Sequence, residues 1–145
     1  MEPGQGARRL ESPAVKVLAL DYGSARTGVA VSDPSGVIAR PLTVVEQVGT
    51  KLGAERLLAL IAEEQPEQIV VGLPLTLRGE HGKQALETEA FARRLRERVT
   101  VPVELFDERL TTVLAARTPS DTPEDARAAA HLLESFLTWS TSREN

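Results

Sequence analysis

Residues 15–20, Val-Lys-Val-Leu-Ala-Leu, form an almost continuous apolar run that ends on an acid, Asp21. A segment this short and this apolar reads as a strand buried on both faces, so the sheet that holds it needs cover on both sides. Similar runs return at residues 68–72 (Gln-Ile-Val-Val-Gly) and 101–106 (Val-Pro-Val-Glu-Leu-Phe). Residues 27–33 and 37–45 predict two further strands, with the turn Asp33-Pro-Ser-Gly36 between them as a hairpin signal. Pro41 either breaks the later strand or marks a sheet edge, because it has no N–H to give to a neighbour.

Between these runs the period changes. Residues 49–64 carry Leu52, Leu57, Leu60 and Ile61 at helical spacing, and Pro66 helps to end the helix. Residues 82–98 repeat the pattern, with Leu86, Phe91 and Leu95 as core contacts. A short helix near residues 111–116 and a longer one over 123–140 complete the reading. Three strands with hairpin-like links, then αβαβ, then C-terminal helices predict an α/β fold. Its sheet is mixed and five-stranded, the first three strands antiparallel, with helices on both faces.

The chain has 145 residues, which suits one domain over residues 15–140. Residues 1–14, rich in Gly, Pro and charge, read as a disordered leader, and residues 141–145 as a flexible tail. There is no cysteine, which excludes disulfides and thiolate metal sites and suits a reducing cytoplasm. No run is apolar enough to span a membrane, and the N-terminus lacks the apolar core of a secretory signal. The net charge of −4 argues against gripping nucleic acid by bulk charge, but local basic patches can still do so.

Three acids stand where such a fold would bring them to one sheet edge. Asp21 closes the first strand, Glu108 follows the fifth, and Asp125 opens the last helix. A carboxylate at the end of a buried strand is costly unless something neutralises it. Carboxylate oxygens are preferred ligands of Mg²⁺ and Mn²⁺, so the set points to metal-assisted phosphoryl chemistry. Each acid also has a plainer role. Asp21 can cap its own turn, Glu108 can belong to an exposed ion-pair cluster, and Asp125 can complete a capping box opened by Thr122 and Pro123. Asp125 nevertheless heads the stripe Ala128, Ala129, Leu132 and Phe136, which should face the sheet.

Candidate substrate contacts cluster in the same loops. Gly23 and Ser24 would let a phosphate approach within Asp21-Tyr-Gly-Ser-Ala-Arg-Thr-Gly28, the turn that also carries Arg26. Arg78, His81 and Lys83 follow the fourth strand, on the side where α/β folds place ligands. Arg109 can hold a carboxylate or phosphate with two parallel hydrogen bonds. The basic run Arg93-Arg-Leu-Arg-Glu-Arg98 reads more simply as a solvated helix face, and His131, Phe136 and Trp139 as core or interface residues. With 3% aromatic residues, a base-stacking platform has little support.

Taken together, the chain resembles the RuvX/YqgF-type nucleases, a branch of the RNase H-like fold related to RuvC resolvases. The resemblance is carried by residues 20–33, Val71-Gly-Leu-Pro-Leu75 with Gly79 and Gly82, Phe91-Ala-Arg-Arg-Leu95, Asp107-Glu-Arg-Leu-Thr-Thr112 and residues 125–137, collinear from Val15 to Leu137. It implies a nuclease in which Asp21, Glu108 and Asp125 bind two Mg²⁺ or Mn²⁺ ions and water attacks a phosphodiester, leaving a 5′-phosphate. The substrate it implies is the 5′ end of the 16S ribosomal RNA precursor, met on a ribosomal precursor particle, or alternatively a branched DNA junction cut by a homodimer. Family members carry a basic stretch before the last acid. Here the link Ala115-Ala-Arg-Thr-Pro-Ser-Asp-Thr-Pro123 has Arg117 alone. An actin-like ATPase and a non-catalytic module are the rivals from other classes; the first needs a second domain that this length does not provide.

Overall fold

The computed structural model describes residues 15–33, 35, 38–110 and 124–144. Its elements run β1 (Val17–Asp21), β2 (Arg26–Ser32), β3 (Ala39–Glu46), α1 (Lys51–Glu64), β4 (Gln68–Leu73), α2 (Lys83–Arg96), β5 (Val103–Asp107), a short 3₁₀ turn (Glu108–Leu110) and α3 (Glu124–Glu144). The leader, the helix expected near residues 111–116 and the cap at Thr122 and Pro123 lie outside the described residues. The last helix continues past residue 140 to Glu144, which takes in most of the expected tail.

The five strands form one sheet in the order β3-β2-β1-β4-β5. β1 pairs antiparallel with β2, and β2 with β3, while β4 runs parallel to β1 and β5 parallel to β4. The parallel pairs follow from the helices between them, since a parallel partner can be reached only by a crossover. Pro41 does not break β3. That strand lies at the sheet edge, and its register against β2 slips beside Pro41, so Ala30 faces Pro41 while Val29 faces Thr43.

Alternation along the central strands builds two cores. Leu18 and Leu20 of β1, with Ile69 and Val71 of β4, pack with Leu57 and Ile61 of α1 and Phe91 and Leu95 of α2. Val17, Ala19 and Val70 face the other way, toward Ala129, Leu132, Leu133 and Phe136 of α3. Helices therefore cover both faces, as the continuous apolar runs require. Within the helices, two leucines point elsewhere than expected. Leu52 and Leu86 are 58% and 57% exposed, and Gly53 and Ala85 are buried in their elements instead. In each case the helix turns a small residue toward its neighbour and lets it approach closely. Gly53 is the clearest, because a Cβ there would stand 1.9 Å from the Gln47 carbonyl oxygen.

Candidate active site

β1 and β5 both end at the same sheet edge, with β4 between them. Asp21 is the last residue of β1 and Glu108 the first beyond β5. Two strand spacings separate these strands by about 10 Å. Glu108 crosses that gap over Gly72, near the end of β4. A Cβ at Gly72 would come within 2.5 Å of Glu108 Oε2, so the space the glutamate occupies exists because residue 72 has no side chain.

The result is a hydrogen-bonded carboxyl pair. Burial above all pushes Glu108 up to about 7, helped by the negative charge of Asp21, the hydrogen bond to Asp21 and the charge of Asp107. Asp21 is raised as well, by burial first; the hydrogen bond from Glu108 opposes that rise and the charge of Asp125 adds to it. When the pair holds a proton, it therefore sits on Glu108, which donates it to Asp21 and releases it near neutrality.

Asp125 reaches the same edge on α3, whose first turn lies directly on β2. A Cβ at Gly28 would stand 1.9 Å from the Asp125 carbonyl oxygen, so that glycine sets how close the helix start can come. The Asp125 carboxylate is near enough to raise Asp21 by its charge, but it is held by Arg26, whose Nε donates to Oδ2 at 2.9 Å. Among the described residues no three His, Cys, Asp or Glu side chains are already grouped as a metal cage. Two of the three expected acids meet, and the third stands beside them on an arginine.

The other expected contacts spread around this pair. Gly23 has a turn to make: a Cβ there would stand 2.4 Å from the Arg26 carbonyl oxygen. Ser24, Arg26, Arg78 and Lys83 are exposed at the same edge, Lys83 as the first residue of α2. Arg109 is exposed and already paired. It grips Asp107 through Nε and Nη2, at 3.0 and 2.6 Å from Oδ2, and Nη1 reaches the Leu77 carbonyl at 3.4 Å. Those bonds hold Asp107 below the ordinary carboxylate range and tie the end of β5 to the loop after β4. His81 pairs with Glu89 at 2.7 Å. Sequence reasoning missed Gly72 and Gly28 as site residues, although a glycine inside an apolar strand is itself a sign of close approach.

Comparison with known proteins sharpens this. Residues 15–139 match the family model described as "RuvX: Holliday junction resolvase". The chain belongs to the RuvX family. Among its relatives, a Roseiflexus sp. (strain RS-1) protein named "Putative pre-16S rRNA nuclease" is 41% identical, over 88% of this chain and 97% of that one. A Rhodococcus erythropolis protein of the same name is also 41% identical, over 92% of this chain and 73% of its own length. The fold is shared with Thermus thermophilus RuvC, solved in complex with a Holliday junction substrate, at a TM-score of 0.60 and 18% identity, covering 88% of this chain and 96% of RuvC. The RuvX match thus runs through all five strands and through both Asp21 and Glu108.

Proposed function

We propose that this RuvX-family protein is a divalent-metal-dependent nuclease that processes the 5′ end of the 16S ribosomal RNA precursor in the cytoplasm. The observation that carries the reading is the Asp21–Glu108 pair, two acids crowded at a sheet edge until they share a proton. Once that proton leaves, two buried carboxylates repel unless a cation takes its place, and an all-carboxylate donor set suits Mg²⁺ or Mn²⁺. Asp21 and Glu108 would hold the ion, with Asp125 as the third donor; bound there, it would supply Lewis-acid stabilisation of phosphoryl oxygens and a water of lowered pKa. Arg26 neutralises Asp125 and so limits the repulsion that a phosphodiester meets on approach. The choice of RNA rests on the relatives' names, and the choice of a guided encounter on a ribosomal particle on the acidic chain. No helix among the described residues is long and apolar enough to cross a membrane.

A second reading, cleavage of a four-way DNA junction, is favoured by the family description and by the fold shared with RuvC. One experiment separates the two. Labelled precursor RNA and a labelled four-way junction are incubated with Mg²⁺ or Mn²⁺ at matched salt, with wild type and with Asp21→Asn. RNA cleavage falling at least about a hundredfold in the variant is expected, the scale of losing one charge-stabilising group from an active site. Equal cleavage by the two proteins removes the site, and cleavage of the junction alone moves the substrate to DNA.

A further inference from the structure

The basic run on α2 divides by direction. Arg96 turns to the sheet and donates from Nε and Nη2 to the Val103 carbonyl, at 3.0 and 2.9 Å. Arg94, in the last turn of α2, and Arg98, just past the helix end, instead line a groove between α1 and α2, and Lys51 of α1 lines it as well. Among the described residues these three side chains have no ion pair and no hydrogen bond, and no acid lines the groove, in a chain whose acids outnumber its bases 21 to 17. Leu57, Phe91 and Leu95 form its apolar floor. Its volume is 220 Å³, below the roughly 300 Å³ where pockets for drug-sized ligands begin, which suits one nucleotide unit better than a large cofactor.

Phe91 connects this groove to the acid pair. Its ring stacks on Tyr22 with centroids 4.5 Å apart, and Tyr22 is the residue after Asp21. We infer that the groove between α1 and α2 is a nucleic-acid subsite that takes a nucleotide flanking the cleaved one, with phosphate on Lys51, Arg94 and Arg98 and the base against the apolar floor. The inference rests on the nuclease reading and adds where its substrate runs.

The test measures binding rather than cleavage. A fluorescein-labelled single-stranded RNA is titrated into Asp21→Asn protein, which holds substrate without cutting it, and into the same protein carrying Arg94→Gln with Arg98→Gln. A protein with Arg93→Gln, which loses a charge on the same helix away from the groove, is the control. The groove variant is expected to bind about tenfold more weakly. Its salt slope should flatten by about 1.4, from two lost phosphate contacts at roughly 0.7 each on a single strand. Arg93→Gln should shift binding less than twofold, and lysine at positions 94 and 98 should restore most of the affinity. Uridine monophosphate titrated alone separates the sources of phosphate. If it binds the groove and the RNA does not depend on Arg94 and Arg98, the subsite serves a free nucleotide and the inference falls. It falls too if the groove variant and Arg93→Gln bind alike. Failure of the nuclease reading shows separately, as unchanged cleavage by Asp21→Asn.

Discussion

Gly72 does at the residue scale what no acid in the site can do for itself. It leaves the space through which Glu108 crosses β4 to Asp21. Gly72→Ala should drive the glutamate aside, separate the pair and return Glu108 toward ordinary carboxylate behaviour. Nuclease activity should fall at least about tenfold, with a loss of stability of about 1–3 kcal/mol from overpacking. Activity assays and carboxyl titration by NMR check this, and an unchanged Glu108 titration would refute it. The proton of the pair also sets a pH dependence. Glu108 titrates at about 7 when folded, against an ordinary value of 4.5, so between these limits the folded protein binds more protons than the unfolded chain. Metal-free stability should therefore fall as pH rises from about 4.5 to about 7 and level off above. Melting in EDTA across that range should show the decline, and Glu108→Gln should flatten it; a decline of equal slope in the variant would assign it to other groups.

Elements decide how the third acid arrives. α3 starts against β2 because Gly28 presents only backbone to the Asp125 carbonyl, and the small residues Ala126, Ala129 and Ala130 keep the rest of the helix close to the sheet. Gly28→Ala should lift the helix start from the strand, cost about 1–3 kcal/mol and carry Asp125 away from the pair. Gly49→Ala, where an added methyl meets nothing within 4 Å, should be near neutral. Comparison of melting temperature and cleavage for the two variants tests this. If they behaved alike, the close approach at residue 28 would have no part in holding Asp125.

Over the whole molecule, one sheet serves two cores and gathers the acids at one edge. The α3 core adds an aromatic cluster, with Phe106 edge-on to Phe136 and Trp139 at centroid distances of 5.5 Å. Leu133, fully buried between α3 and the sheet, anchors the element that brings Asp125. Leu133→Ala should cost about 2–5 kcal/mol by chemical denaturation. Leu86→Ala, on an exposed leucine, should stay within about 0.5 kcal/mol, and equal costs would contradict the assignment of the two faces.

Much of this was legible in the chain. The near-continuous apolar runs dictate buried strands, the period-3.6 stretches dictate helices, and their order dictates which strands are parallel. Asp21 and Glu108 could be named because strand ends in such a sheet share an edge. Leu52 and Leu86 show the limit of the periodicity. A helix has several candidate faces, and the one that packs is chosen by the partner, here in favour of Gly53 and Ala85. Arg109 and Arg26 show the same limit for charge, since sequence marks a guanidinium but only neighbours decide whether it meets Asp107, Asp125 or a phosphate. Local spacing along the chain thus determined the elements and the acids. Tertiary structure decided which acids share a proton and which is held by an arginine, because those outcomes depend on distances of a few ångströms between residues up to 99 positions apart.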